Sequence, residues 1–235
     1  MYVLDGRVAV VSGAATGIGR AIAMRLAGEG ALVEILDIQD AASTCEEIRA
    51  AGGAANSEIC DVTNEDQIAA SVKAIADRHH TVDILVTNAG VLSGRQLAPT
   101  LSCFVQAQLL VLQAIYPLLK MSAHGRLINI ASRTNFLANP GQMTYGAVTG
   151  MTRLLAREMG EDGITVNAVA PRMSATPQTQ PYSPKEAFGR VMMNQAIKKS
   201  VRPEHVAALV AFIASDEAEL ITGQMILCDG GSFPD

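Results

Sequence analysis

The stretch from Val8 to Gly19, VAVVSGAATGIG, constrains this chain more than any other. Val8 to Ser12 is a short apolar run rich in valine, and it stops at a cluster of glycines, Gly13, Gly17 and Gly19. Behind them IGRAIAMRLAGEG carries apolar residues at helical spacing, with Ile18, Ile22 and Leu26 on one face. That order predicts a strand, a tight turn and a helix. Glycines let a backbone approach phosphates closely, and a helix N-terminus offers unpaired N–H groups and the positive end of a dipole. A second apolar run, Leu32 to Leu36, ends in Asp37. It falls about twenty residues beyond the turn, where a dinucleotide-binding unit places the acid that takes the adenosine ribose hydroxyls. A plain tight turn would carry the same glycines, and a surface aspartate could follow any strand. The combination favours a pyrophosphate site.

Strand-like and helix-like segments alternate from end to end. Strands are expected near 7–12, 32–37, 56–60, 83–87, 125–131, 164–169 and 225–228, and helices near 18–29, 41–51, 64–78, 103–121, 144–160, 185–197 and 203–215. Short connections between alternating elements mean right-handed βαβ units. The expected fold is therefore α/β, a single Rossmann-type doubly wound parallel sheet with helices on both faces, in one domain spanning 1–235. An apolar content of 49% suits a packed core, and a net charge of −5 with no basic run gives a nucleic-acid surface no electrostatic support. Cys45, Cys60, Cys103 and Cys228 form no CxxC pair, so reduced thiols and no metal are expected. The N-terminal MYVLDGRVAVV lacks the basic region and cleavage site of a signal peptide, and Leu109 to Leu119 is too short to span a bilayer. A cytoplasmic protein without membrane partners is expected.

Several polar groups fall where the strands should end. Asp61 and Val62 follow the third strand, Asn88, Ala89 and Gly90 the fourth, and Ser132 the fifth. These positions share the carboxyl edge of the sheet, where open α/β folds bind ligands. Tyr145 opens the next long helix, thirteen positions after Ser132. Its phenol serves as an acid or base only if its pKa is lowered toward neutral. The one long irregular stretch, Pro171 to Pro184, is of a length usually found in lids. Phe136, Leu137, Met143, Phe188, Met192 and Met193 either form an apolar wall for a substrate or pack as ordinary core.

Taken together, SGAATGIG, Asp37, CDVT at 60–63, TNAG at 87–90, GRLINIAS at 125–132, Tyr145, DGITVNAVAP at 162–171 and ITGQMILCDGG at 221–231 are collinear. In these motifs the chain resembles the short-chain dehydrogenase/reductase family, of the compact NAD-linked type. The run from Glu186 to Gly223 is similar to that of its pyridoxal 4-dehydrogenases and phenylethanol dehydrogenases. The resemblance implies NAD as cofactor. Gly13, Thr16, Gly17, Ile18 and Gly19 would cradle its pyrophosphate and Asp37 its adenosine ribose. Asp61 and Val62 would line the adenine pocket, Asn88, Ala89 and Gly90 the adjoining ribose, and Pro171 and Thr176 the nicotinamide. Ser132 would hold the substrate oxygen and Tyr145 would exchange its proton. The resemblance also implies a small-molecule alcohol or carbonyl substrate and a homo-dimer or homo-tetramer.

Three departures qualify these roles. Thr149 stands four residues after Tyr145, where the family has lysine, and the downstream helix fits as if one turn, about four residues, were missing after Ala147. Counting back from Pro117, Phe104 stands where the family has its catalytic asparagine. Arg172 follows Pro171, where the family usually has glycine, and would either crowd the nicotinamide or pair with a substrate anion. The expected function is an NAD(H)-dependent alcohol–carbonyl oxidoreductase impaired by loss of the lysine. The alternative is an NAD-binding member without activity, acting as a partner or regulator. A non-redox lyase on the same scaffold would normally abandon the glycine turn kept here.

Overall fold

The computed structural model describes residues 3–90, 102–133, 143–180 and 185–232, with the side chains at 103, 143–145 and 185–186 outside the description. Seven strands form one parallel sheet: β1 (Val8–Ser12), β2 (Leu32–Asp37), β3 (Ala54–Ile59), β4 (Ile84–Thr87), β5 (Arg126–Ile130), β6 (Thr165–Pro171) and β7 (Met225–Cys228). Their spatial order is β3-β2-β1-β4-β5-β6-β7, as a doubly wound fold requires. The chain leaves β1 in one direction to build β2 and β3, then returns to place β4 on the other side. The crevice between β1 and β4 therefore opens at the carboxyl edge.

Strands β1, β4, β5 and β6 are buried along their whole length. Both faces of the sheet are covered, so these strands read as continuous apolar runs rather than alternating ones. Helices α1 (Gly17–Gly28), α2 (Ala42–Ala50) and α7 (Pro203–Ala214) cover one face, and α3 (Glu65–Arg78), α4 (Ala107–Leu119) and α5 (Met143–Met159) the other. The remaining helix, α6, spans Lys185–Met193. On the first face Ala9 and Val11 meet Ile22 and Leu26 of α1 and Val206 and Val210 of α7. On the second, Val8 and Val10 belong to a core with Ile68 and Ile75 of α3 and Val111 and Ile115 of α4. Truncating one of these fully buried chains to alanine would cost about 2–5 kcal/mol.

Two elements depart from the sequence reading. The helix expected over 185–197 stops at Met193, because Gln195 bridges Ser232 and the N–H groups of Ala196 and Ile197 donate to Gly231 and Gly230 at 2.9 Å. The helix expected from 103 opens instead with a π-helical segment, Ser102–Gln106, before turning α-helical at Ala107. Single π turns inside helices often mark functional sites, and this one carries Phe104.

Candidate functional site

The glycine turn after β1 is built by close approach. A Cβ on Gly13 would lie 2.7 Å from Ala89 Cα, and one on Gly19 would lie 2.0 Å from the Gly13 carbonyl oxygen. Gly13 and Gly17 also sit at φ +69° and +64°, a region that side chains disfavour. Asn88 fastens this turn from β4. Its Nδ2 donates to the carbonyls of Ser12 at 3.1 Å and Gly13 at 2.8 Å, while Ser12 Oγ accepts the N–H groups of Asn88 and Ala89. The turn delivers the chain into α1, whose Thr16 N-cap makes no side-chain bond. The first N–H groups of α1 therefore remain for an anion. Removing a side chain at Gly13 and Gly19 leaves a cradle of backbone, and this fits a pyrophosphate.

Asp37 ends β2 with its carboxylate clamped in place. One oxygen accepts the Ala15 N–H at 2.8 Å, the other the Gln39 N–H at 2.9 Å. A carboxylate has about four acceptor sites, so both oxygens retain capacity for hydroxyl donors. Asp61 is similarly fixed, with Oδ1 accepting the N–H and hydroxyl of Thr63 at 2.9 and 2.7 Å. Burial pushes the thiol of the neighbouring Cys60 above its ordinary range, which disfavours the thiolate.

These groups line one cleft of about 550 Å³ along the carboxyl edge. Of the residues singled out in the sequence, Gly13, Thr16, Gly17 and Ile18 line it at the turn. Asp37, Asp61 and Val62 line one end, and Asn88, Ala89 and Gly90 the middle. Ser132 and Pro171 line the other end, while Gly19 shapes the turn from beneath. Thr176 also lines the cleft, but its methyl and Cβ lie 3.6 Å from the place of a Gly17 Cβ. It therefore caps the glycine turn.

A buried polar chain underlies the Ser132 end of the cleft. Thr87 Oγ1 donates to Asn129 Oδ1 at 2.7 Å, and Asn129 Nδ2 donates to Thr152 Oγ1 at 3.1 Å. All three residues are 1% exposed. Asn129 lies three residues before Ser132 on β5, and Thr152 lies seven residues, two helical turns, after Tyr145 on α5. The chain thus sets the helix of the tyrosine against the strand of the serine. Tyr145 is the third residue of α5, and its side chain lies outside the described residues. Thr149 does not line the cleft. Its hydroxyl donates to Met225 Sδ at 3.5 Å on β7. Phe104 does line it, and its ring lies 2.7 Å from where a Gly90 Cβ would stand.

Of the two readings left open for the apolar residues near 185–197, a substrate wall or ordinary packing, the described lining of the cleft does not include the wall. Phe188, Met192 and Met193 are not among the described residues of the cleft, and Met193 is 69% exposed. Phe136 and Leu137 lie outside the described residues, as does the side chain of Met143. Phe104, Ile130 and Met173 supply the apolar surface instead. Sequence reasoning also missed Ser12, Asn129, Ser174 and Thr179. A polar residue inside an apolar strand, as in LINI at 127–130, was the available signal for Asn129.

Comparison with known proteins agrees with this geometry. The family described as Enoyl-(Acyl carrier protein) reductase matches residues 13–232. The chain is similar to the 3-oxoacyl-[acyl-carrier-protein] reductase FabG of Thermotoga maritima, 33% identical over 97% of this chain and 98% of the relative. It is 34% identical, over 97% of both chains, to the (2S)-[(R)-hydroxy(phenyl)methyl]succinyl-CoA dehydrogenase subunit BbsD of Thauera aromatica. Among solved structures it resembles a gluconate 5-dehydrogenase of Beutenbergia cavernae with bound NADP, at a TM-score of 0.89 and 30% identity over 97% of each chain. It also resembles a short-chain dehydrogenase/reductase of Serratia marcescens, at a TM-score of 0.88 and 31% identity over 97% of this chain and 98% of that one. With the glycine cradle, the clamped acid and the seven-stranded sheet in one arrangement, the chain belongs to the short-chain dehydrogenase/reductase family of oxidoreductases.

Proposed function

We propose that this protein is an NAD(H)-dependent oxidoreductase that interconverts an alcohol and a carbonyl compound. The observation that carries the reading is the single cleft that holds a pyrophosphate-sized backbone cradle at Gly13–Gly17, a clamped carboxylate at Asp37 and the hydroxyl of Ser132. NAD is favoured over NADP on charge. Asp37 would repel a 2′-phosphate, and the following Ile38 is 65% exposed and apolar, so that position offers no cation. When bound, the nicotinamide supplies the hydride acceptor. Asn88 keeps the glycine turn closed, Asp61 and Val62 would hold the adenine, and Pro171 would border the nicotinamide. Ser132 holds the substrate oxygen by hydrogen bond, and Tyr145 takes the alcohol proton as the carbonyl forms.

Two observations support impaired catalysis. The residue four after the tyrosine, Thr149, is neutral and turned to Met225, and Phe104 is unable to relay a proton. A neighbouring cation lowers a pKa by about 1–3 units, so its loss removes roughly one to three decades of available base at neutral pH. Arg153, eight residues after Tyr145, is exposed on α5. The same two observations favour a second reading, an NAD-binding family member that does not turn over.

NAD reduction followed with a panel of secondary and aryl alcohols, beside NADH fluorescence titration, separates the two. Turnover that depends on NAD supports the first reading. Saturable NADH binding without turnover establishes the second, and no binding of either nucleotide refutes both. We also take the protein to be a homo-oligomer. Leu154 of α5 is 65% exposed, and a monomer in light scattering at micromolar concentration would overturn this reading.

A further inference from the structure

We propose that the substrate carries a carboxylate, held by Arg172, in addition to the alcohol or carbonyl that reacts. This deepens the dehydrogenase reading and rests on it for the chemistry, though not for the binding.

The charge of the cleft is unevenly placed. Its acids, Asp37 and Asp61, follow β2 and β3 at the adenosine end. Arg172 follows β6 at the opposite end and is the one cation among the described residues lining the cleft. Its backbone is fixed on both sides: its N–H donates to the Cys228 carbonyl at 3.1 Å, and its carbonyl accepts the Ser174 hydroxyl at 3.2 Å.

Distance decides which negative group this cation can serve. The glycine turn follows β1 and Arg172 follows β6, and β4 and β5 lie between them. Three strand spacings of about 4.8 Å put roughly 14 Å between the turn and Arg172. That is too far for the pyrophosphate to be its natural partner. Ser132 is much closer. Ile130 pairs with Val169 in register, and the Ala131 N–H donates to the Val169 carbonyl at 2.8 Å. Ser132 follows β5 and Arg172 follows β6, so the two leave neighbouring strands at the same edge, and both line the cleft.

A guanidinium presents a planar fork that matches a carboxylate with two parallel hydrogen bonds. In a cleft whose other charges are negative, an acidic substrate has one favourable orientation, with its acid toward Arg172 and away from Asp37. Phe104 and Met173 would cover the rest of the molecule. The arrangement selects hydroxy acids and oxo acids over their neutral esters.

The test uses matched pairs at saturating NAD: racemic 3-hydroxybutyrate against its methyl ester, and racemic mandelate against methyl mandelate. The native protein should favour the acid of at least one pair in kcat/KM by roughly tenfold or more, the usual worth of a charge-assisted bond. Arg172→Met should abolish that preference and Arg172→Lys should restore part of it. The NADH dissociation constant should stay unchanged in Arg172→Met. Equal treatment of acid and ester by the native protein would overturn the proposal. So would a preference that survives Arg172→Met, or a loss of NADH affinity in that variant with the acid preference intact.

Should neither member of a pair turn over, acetoacetate and benzoylformate are titrated into the NADH complex and read by fluorescence. Saturation with the native protein but not with Arg172→Met upholds the carboxylate site while the dehydrogenase reading falls. Absence of saturation with the native protein overturns the site.

Discussion

Adding one methyl group at Gly19 should dismantle the cofactor cradle, whereas the same change at Gly150 should stabilise the protein. A Cβ on Gly19 would stand 2.0 Å from the Gly13 carbonyl oxygen and 2.5 Å from Asn88 Nδ2. Neither neighbour is a loose side-chain end, since the carbonyl is backbone and the amide is bonded to two carbonyls. Relief requires the turn to open, which breaks the bond from Asn88 to Gly13. Overpacking of this kind costs about 1–3 kcal/mol, and a buried hydrogen bond left unmade costs about 1–3 kcal/mol more. Gly19→Ala should therefore lose about 2–6 kcal/mol, a large part of an ordinary domain's stability. Gly150 lies inside α5 with nothing within 4 Å of its hypothetical Cβ. There alanine should gain about 1 kcal/mol from helix propensity. Urea denaturation of both variants gives the two signs, and NADH fluorescence gives the consequence for the site. Gly19→Ala should show no saturable NADH binding, and Gly150→Ala should bind as the native protein does. Native stability and native NADH affinity in Gly19→Ala would refute the cradle.

Other consequences are equally direct. Asp37→Ala combined with Ile38→Arg should move the ratio of NADPH to NADH affinity toward NADPH; tighter binding of NADPH by the native protein would contradict the charge reasoning. Asn129→Ala should cost about 1–3 kcal/mol, because it leaves the buried Thr87 hydroxyl without its acceptor, while Thr152 keeps its bond to the Val148 carbonyl, and should depress turnover beyond the effect on NADH binding; denaturation and steady-state rates measured together check both. Glu34 contributes acid-sensitive stability. Burial alone would raise its pKa, but bonds from Arg78, Asn56 and His79 outweigh that and hold the carboxyl below its ordinary value. A lowered folded-state pKa gives stability that is complete above the unfolded value and is lost as pH falls through the folded one. Glu34→Gln should therefore flatten the acid limb of a stability–pH curve, and an unchanged limb would contradict the role of this cluster.

Local pattern foretold the elements well where the core is made of consecutive residues. All seven strands were expected within two residues of their observed ends; β1, β4, β5 and β6 are buried apolar runs bounded by turns, while β3, AANSEI, is polar and partly exposed. What stayed hidden depends on partners distant in sequence. The stretch after Met193 continues a helical composition, but Gly230–Ser232 captures Gln195–Ile197 into a bridge. Met193, read from the sequence as wall or core, is 69% exposed. Ser12 looked like the end of a strand, and only the folded chain shows it accepting two N–H groups from β4. Most of the site was legible because its glycines and acids sit at strand ends, where type and position together imply the chemistry. Phe104 and Arg172 were singled out from the sequence, which left two readings open for Arg172; that both line the cleft depends on which neighbours the sheet brings alongside.

The proposed reading makes Tyr145 the proton acceptor, with Thr149 rather than the family's lysine four residues on. The direct measurement is the pH dependence of NAD reduction, from pH 6 to pH 10.5, for the native protein and Tyr145→Phe with the best alcohol of the panel. A phenol without a cation keeps a pKa near the ordinary value of about 10, and the carboxylate of an acidic substrate would neutralise Arg172 in the working complex. The native rate should be slow at neutrality and rise with pH toward that value, and Tyr145→Phe should abolish it. Fast turnover on a flat profile near pH 7, or undiminished activity in Tyr145→Phe, would contradict the account.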